Sequence, residues 1–336
     1  MVERPDPRGQ LSELLLAQLD DEVRPLGQVA PPQPSDPLAD EDLQFSLYLM
    51  YELHYRGLPG AHPDWEWEPS LLALRRKLEG LLLDALTDDI GPPADGAAPE
   101  EMDLALRAIA DGDDGPSLSR YVEREATVPE LLEFLVHRSA YQLKEADPHS
   151  WALPRLSGPP KAALVEIQAD EYGGGRPERI HAELFARTLR AVGLDARYGA
   201  YVDHIPAITL ATVNLMSVLG LHRRWRGAIV GHLALFEMTS SLPNGRYSSG
   251  LRRLGFSGDA TAFFDEHVEA DAVHENIAAV DLAGGLARQE PELAADILWG
   301  ARALIAVESR WARSLLDAWS EGRSSLRVPL AEPAPV

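Results

Sequence analysis

Apolar residues recur at the three- and four-residue spacing of an α-helix along most of the chain, whereas the alternating pattern of a β-strand is almost absent. The segment SLLALRRKLEGLLLDALTD, residues 70–88, illustrates this, because its leucines share one face of a helix and predict a buried stripe. Such a chain buries its apolar faces by packing helix against helix. The sequence therefore predicts an all-α protein, a bundle of long helices.

Proline- and glycine-rich stretches separate the predicted helices. Besides 70–88, helices are predicted over residues 11–23, 101–110, 128–146, 161–171, 178–192, 205–221, 225–242, 259–286 and 291–319. Asp40 or Asp42 can cap a further helix that carries Phe45, Tyr48 and Leu49. We divide the chain into an N-terminal helix with a proline-rich arm (1–40), an N-terminal helical segment that packs on the bundle (41–125), the bundle itself (126–322) and a tail (323–336).

The charge balance and the absence of cysteine exclude several classes of function. The chain has 53 Asp and Glu against 31 Lys and Arg, a formal net charge of -22, so we expect neither a nucleic acid nor an anionic membrane as a partner. Without cysteine, the chain forms no disulfide, iron–sulfur cluster, thiolate-ligated haem or cysteine nucleophile. The N-terminus lacks the apolar core of a signal peptide, and no run reaches the roughly 18 apolar residues of a membrane span. We expect a soluble, cytoplasmic protein.

Two histidines and an aspartate stand out in the segment FFDEHVEADAVHENIA, residues 263–278. His267, Asp271 and His274 are separated by four and three residues, so on a helix their side chains fall within roughly 60° of one another on neighbouring turns. Helical bundles build metal sites from inward-facing side chains of this kind. One helix supplies at most three ligands here, and further ligands must come from other helices.

Four more side chains are candidates for the same site. Glu237 follows apolar residues in GHLALFEMTSS, where an unpaired carboxylate would cost several kcal/mol unless a cation binds it. Glu171 ends the apolar segment KAALVEIQADE, and His181 begins the next helical pattern ten residues later, about 15 Å away if one helix continued. The intervening YGGGRP interrupts that helix and allows the two side chains to come together. The last candidate, Glu145, lies near the end of LLEFLVHRSAYQLKEAD.

These candidates form a donor set of four carboxylates and three imidazoles without sulfur, which suits iron or manganese. Seven donors are more than one catalytic ion needs, so two metal ions are indicated. Each residue alone has a simpler explanation, since surface carboxylates and packed histidines are common. The spacings, the glycine break and the apolar setting of Glu237 agree with one another, and together they favour a metal site.

The order and spacing of the seven residues resemble those of the haem-oxygenase-like di-iron oxidases and oxygenases, over about residues 128–319. The resemblance implies the helical fold of haem oxygenase with an N-terminal extension, binding two non-haem irons in place of porphyrin. It also implies a distribution of ligands, with no catalytic residue beyond them: Glu145, His181 and His274 mainly on one iron, Glu237, His267 and Asp271 mainly on the other, and Glu171 as a bridge.

The same resemblance implies an enzyme that takes O2 as co-substrate and oxidises a small metabolite. The histidine at position 267 resembles the pattern of the N-oxygenating branch, whose substrates are amines or guanidine-like compounds. Desaturation and C–C cleavage are alternative outcomes, a non-catalytic iron-binding helical protein is a different class, and haem oxygenase activity is a weaker alternative. No Rossmann fingerprint or flavin motif is visible, so electrons are expected from a separate reductase or a small reductant. Three roles are open for the N-terminal region: it covers the site, forms a homodimer interface or docks a partner.

Overall fold

The computed structural model describes residues 3–94 and 96–331, with the side chains of residues 269–273 excepted. In this part of the chain no residue lies in a β-strand, and the prediction of an all-α protein is confirmed. The described helices are α1 (Gln10–Leu19), α2 (Glu41–Glu52), α3 (Pro69–Ile90), α4 (Met102–Asp111), α5 (Leu118–Arg124), α6 (Val128–Gln142), α7 (Asp147–Ser150), α8 (Gly158–Glu171), α9 (His181–Ala191), α10 (Ala207–Leu221), α11 (Arg226–Arg253), α12 (Asp259–Asn276), α13 (Gly285–Gln289) and α14 (Ala294–Ser320).

The two predicted capping residues, Asp40 and Asp42, act at different helices. Asp40 is the N-cap of α2, and its carboxylate accepts a hydrogen bond of 2.8 Å from the backbone N–H of Leu43. Asp42 instead reaches across to the start of α1, where it accepts from the backbone N–H groups of Leu11 (2.8 Å) and Ser12 (2.7 Å). These N–H groups have no partner within their own helix, so Asp42 fixes α1 onto α2.

The centre of the bundle is the close crossing of α11 and α14. Gly231 on α11 faces the backbone of Ile297, and Gly300 on α14 faces the backbone of Ala228. A Cβ atom at either glycine would collide with the facing carbonyl oxygen, so only glycine lets the helices approach this closely. Since α11 also packs along α12, this crossing sets the position of two helices that carry candidate ligands.

The ends of several helices differ from the predicted ends. Helix α6 stops at Gln142 rather than at residue 146, and α9 begins at His181 rather than at residue 178. Helix α11 continues through Pro243 to Arg253, and it packs against α5, α12 and α14. Beyond α12 the chain forms a π-helix over Ile277–Gly284 instead of further α-helix. The short helices α5 and α7 were not predicted.

One hydrophobic core joins the N-terminal helices to the bundle. Its buried residues extend from Leu11 in α1 to Leu326 beyond α14, and include Leu43 of α2 and Leu78 of α3. The division of the chain into four segments stays a prediction. Among the described residues, no helix combines the length and the apolar character that crossing a bilayer requires.

Candidate metal centre

Six of the seven predicted donor residues are buried and lie on five different parts of the fold. Glu145 is in the turn after α6, Glu171 is the last residue of α8, His181 is the first residue of α9, Glu237 lies in α11, and His267 and His274 lie in α12. The seventh, Asp271, belongs to residues 269–273, so the prediction for its side chain lies outside the described residues.

The six side chains form two groups whose donor atoms lie within 4.8 Å of one another. The first group contains Glu145, Glu171, His181 and His267, and the second contains Glu171, Glu237 and His274. Glu171 belongs to both groups, as expected of a bridging carboxylate. The two histidines of α12 are distributed differently from the expected arrangement, since His267 lies with Glu145 and His274 lies with Glu237.

The distances between donor atoms fit ligands that share an ion. Nδ1 of His181 lies 3.0 Å from Oε2 of Glu171, and Nδ1 of His274 lies 3.4 Å from Oε2 of Glu237. Four buried atoms of these groups have no hydrogen-bond partner among the described residues: Glu145 Oε2, Glu171 Oε2, His181 Nδ1 and His274 Nδ1. Two ligands at right angles on one ion, with bonds of about 2.1 Å, lie about 3.0 Å apart. Buried polar atoms that oppose one another at this spacing fit a metal site.

The turn between α8 and α9 brings Glu171 and His181 together. Gly173 has a backbone φ of 68°, and a Cβ atom on it would lie 2.6 Å from the carbonyl carbon of Arg179. Only glycine combines this conformation with so close an approach of the chain to itself. The glycine break thus acts as expected, although α9 starts three residues later than predicted.

Contacts outside the donor groups orient the two histidines of α12. Nδ1 of His267 donates a hydrogen bond of 2.8 Å to the carbonyl oxygen of Phe263, which directs Nε2 towards Glu145. Nε2 of His274 lies 3.0 Å from a carboxylate oxygen of Asp170, which directs Nδ1 towards Glu237. Partners of this kind fix the tautomer and the ring orientation of a metal-ligating histidine.

The electrostatics of the site reflect several buried charges at close range. Burial raises the pKa of Glu145 above its ordinary value, although His267 opposes this effect. Burial would also raise the pKa of Glu171, but the surrounding imidazoles outweigh it and hold that pKa at about 2. For His274, burial lowers the pKa, yet Glu237 and Asp170 outweigh it and raise the pKa to about 9. The carboxylates of the centre therefore attract positive charge strongly, whether it comes from a proton or from a metal ion.

Two further carboxylates near the site, Asp170 and Glu178, are not among the predicted donors. Asp170 contacts His274 across 104 positions of sequence, and no local periodicity signals such a contact. Glu178 stands three residues before His181, a spacing that di-iron carboxylate bundles use on one helix. In this structure Glu178 is exposed in a short 3-10 turn, Pro177–Arg179, ahead of α9. The spacing was therefore available as a signal, while the geometry leaves Glu178 outside both donor groups.

Three other buried histidines of the bundle have structural partners. His137 makes hydrogen bonds to the hydroxyl groups of Thr209 (2.6 Å) and Ser325 (3.0 Å). Nδ1 of His232 lies 3.2 Å from Nε2 of His149. Burial lowers the pKa of each of these three histidines, which keeps the imidazoles neutral in the core.

A cavity of about 440 Å³ adjoins the first donor group. Glu145 and His267 form part of its wall, and exposed residues such as Arg120 line it elsewhere, so the cavity connects the donor group with the surface. Seven aromatic side chains also line the cavity: Phe134, Phe185, Phe236, Tyr247, Phe263, Phe264 and Trp311. Arg138 and Glu308 add an ion pair of 3.1 Å, and the guanidinium lies 4.3 Å from the ring centroid of Trp311. The cavity has the size and the mixed lining of a small-molecule site.

The sequence profile of the iron-containing redox enzymes matches residues 132–309, which is more than half of the chain and includes all six donor residues. The chain therefore belongs to the iron-containing redox enzyme family. Its all-α architecture is the haem-oxygenase-like fold of that family.

The chain is also similar to nitrosourea synthase from Streptomyces achromogenes subsp. streptozoticus. The two sequences are 30% identical over 199 residues, which cover 58% of this chain and 38% of the relative. The matched region thus spans well under half the length of that enzyme.

Proposed function

We propose that this protein is a non-haem di-iron oxygenase, which uses O2 to oxidise the nitrogen of a small amine or guanidine-like compound. The observation that carries the proposal is the pair of buried donor groups that share the carboxylate of Glu171. A single ion needs no second group of donors, whereas two ions held by one bridging carboxylate use both groups. Membership of the iron-containing redox enzymes and similarity to nitrosourea synthase support iron and nitrogen oxidation.

We infer from the two donor groups which residues hold each iron. Glu145, His181 and His267 would hold the first ion, Glu237 and His274 would hold the second, and Glu171 would contact both. We retain Asp271 as a predicted ligand because its position between the two histidines of α12 gives it the same helical face. When bound, ferrous iron supplies the reducing equivalents and open coordination positions that O2 chemistry requires.

Side chains around the irons would bind and orient the substrate. The aromatic side chains of the cavity give a flat, polarisable surface for a cationic substrate group. The Arg138–Glu308 pair offers polar contacts further along the wall. Oxidation of one N–H to N–OH by O2 also takes up two electrons and two protons and releases water. The chain has no recognisable flavin or nicotinamide motif, so a separate reductase or a small reductant would supply these electrons.

Anaerobic loading of the metal-free chain with ferrous iron tests the proposal. We expect about two iron atoms per chain, and after mixing with O2 a transient visible absorption accompanied by O2 consumption. Iron uptake without O2 consumption would identify a non-catalytic iron-binding protein instead. A Soret shift on addition of haemin would favour haem oxygenase activity.

Product analysis separates the oxidative outcomes. With ¹⁸O2 and a panel of amines and guanidine-like compounds, N-oxygenation adds labelled oxygen to the substrate. Desaturation removes two hydrogens without adding oxygen, and C–C cleavage yields a smaller fragment. Either of the last two products, without any N-oxygenated one, would replace the proposed reaction while leaving the di-iron site in place.

A further inference from the structure

The candidate ligand Glu145 is held by a strained turn and not by a helix. Helix α6 ends at Gln142 and α7 begins at Asp147, so Glu145 lies in the connection 143–146. Ala146 in this connection has a φ of 72° and a ψ of -30°, a conformation that an L-residue with a Cβ atom rarely adopts. A turn with this conformation persists only where the surrounding structure fixes it.

A buried ion pair joins the turn to α2. Nζ of Lys144 lies 2.6 Å from Oε1 of Glu52, and the two side chains are 1% and 0% exposed. The hydroxyl of Tyr198 donates a 2.6 Å hydrogen bond to the other oxygen of Glu52, and the ammonium of Lys144 lies 4.2 Å from the ring centroid of Tyr55. Both charges are thus fully compensated inside the protein, which fixes the residue next to Glu145.

Backbone contacts hold the turn on both sides of Lys144 and Glu145. Arg56, which follows α2, donates a 3.0 Å hydrogen bond to the carbonyl oxygen of Leu143. Gln168, on the same helix as Glu171, donates a 3.0 Å hydrogen bond to the carbonyl oxygen of Ala146. The turn is therefore fixed by the N-terminal segment on one side and by α8 on the other.

We propose that Glu52, Lys144 and Arg56 are positioning residues for the first metal ion. Helix α2 fixes the turn so that the carboxylate of Glu145 faces His267 and the rest of the first donor group. The proposal rests on the proposed di-iron function and assigns a role to the N-terminal segment. No residue of this turn belongs to the second donor group, so the effect is confined to one of the two ions.

The test compares metal binding of the full-length chain with that of Glu52→Gln. Metal-free protein is titrated anaerobically with Co²⁺, which reports affinity by calorimetry and ligand geometry by its visible spectrum. We expect Glu52→Gln to weaken one of two sites by about 10- to 100-fold, with an altered Co²⁺ spectrum, and to leave the other site within about twofold of wild type. In a His267→Ala background, which removes a donor of the first group, Glu52→Gln should change the remaining site little.

Glu79→Gln is the matched control. Glu79 is also buried in the N-terminal helical segment, and it lies 3.2 Å from Nε of Arg75 and 2.9 Å from Nε2 of His222. Its substitution perturbs a buried ion pair of the same kind away from both donor groups. If Glu52→Gln and Glu79→Gln weaken both sites equally, the α2 contact is merely structural and the positioning role is wrong.

If Glu52→Gln fails to fold, Arg56→Met provides a second test of the same turn. Arg56 is exposed, so its removal leaves no unpaired charge in the core. We expect about a tenfold loss of affinity at one site, and unchanged affinity at both sites overturns the positioning role. If the wild-type chain binds two ions and both variants bind them with the same affinity, only this inference is refuted. A wild-type chain that binds no ion, or only one, refutes the proposed function and this inference with it.

Discussion

One carboxylate oxygen of Glu171 lies 3.0 Å from Nδ1 of His181, although the two residues lie on different helices and a turn containing three glycines separates them. Both side chains are buried, and the same carboxylate also belongs to the group formed with Glu237 and His274. The backbone of this turn therefore determines whether the two donor groups can share a residue.

Substitution of Gly173 should disrupt this turn more than substitution of its neighbour. Gly173→Ala combines a positive φ with a collision against the backbone of Arg179 and Ile180, so we expect a loss of about 2–4 kcal/mol in the free energy of unfolding. Gly174→Ala has a similar positive φ but nothing within 4 Å of the added carbon, so a loss of about 1 kcal/mol is expected. Urea denaturation of the metal-free proteins measures both values, and equal losses would contradict the assigned role of the close approach.

Removal of the shared carboxylate should affect both metal ions, whereas removal of an unshared one should affect a single ion. We expect Glu171→Ala to bind well under one iron per chain and Glu237→Ala to bind about one. The reason is that, among the described residues, Glu171 alone belongs to both donor groups. Iron analysis after anaerobic loading and desalting gives the stoichiometry, and Glu237→Ala with two tightly bound irons would remove Glu237 from the ligand set.

His267 should be required for the first ion. His267→Ala removes the imidazole that faces Glu145, so bound iron is expected to fall from about two to about one per chain. The remaining ion should lie in the group of Glu237 and His274. Unchanged stoichiometry together with unchanged O2 consumption would show that His267 is not a ligand.

The buried His137 should make the stability of the protein sensitive to acid. Burial, together with the nearby Arg138, lowers the pKa of His137 to about 3, while the same group in the unfolded chain titrates near pH 6.5. Between these values the unfolded state binds more protons, so stability is fully present above pH 6.5 and falls as the pH is lowered. Well below pH 6.5, each further pH unit of acidification lowers the free energy of unfolding by about 1.4 kcal/mol through this group.

Urea denaturation between pH 7 and pH 5 tests the role of His137. The metal-free His137→Gln variant should lose stability less steeply on acidification than wild type. His62→Gln, at a residue that is largely exposed, should retain the wild-type slope. If both variants follow the wild-type pH dependence, the acid sensitivity arises from other groups.

Features that depend on a single segment of the chain could be predicted from the residue pattern of that segment. The periodicity of residues 70–88 predicted a buried stripe, and Leu71, Leu74, Leu78 and Leu82 are buried in α3. The spacing of His267 and His274 predicted one face of one helix, and both side chains lie buried on α12. The glycines after Glu171 predicted a chain reversal towards His181, and the reversal is present.

The sequence by itself therefore determined the all-α class, the identity of the candidate donors and the break between Glu171 and His181. Tertiary structure decided which donors meet. It placed His267 with Glu145 and His274 with Glu237, set Glu145 in a turn held from α2, and brought Asp170 to His274. Helical periodicity fixes the direction of a side chain relative to its own helix, whereas the packing of distant helices fixes what lies in that direction.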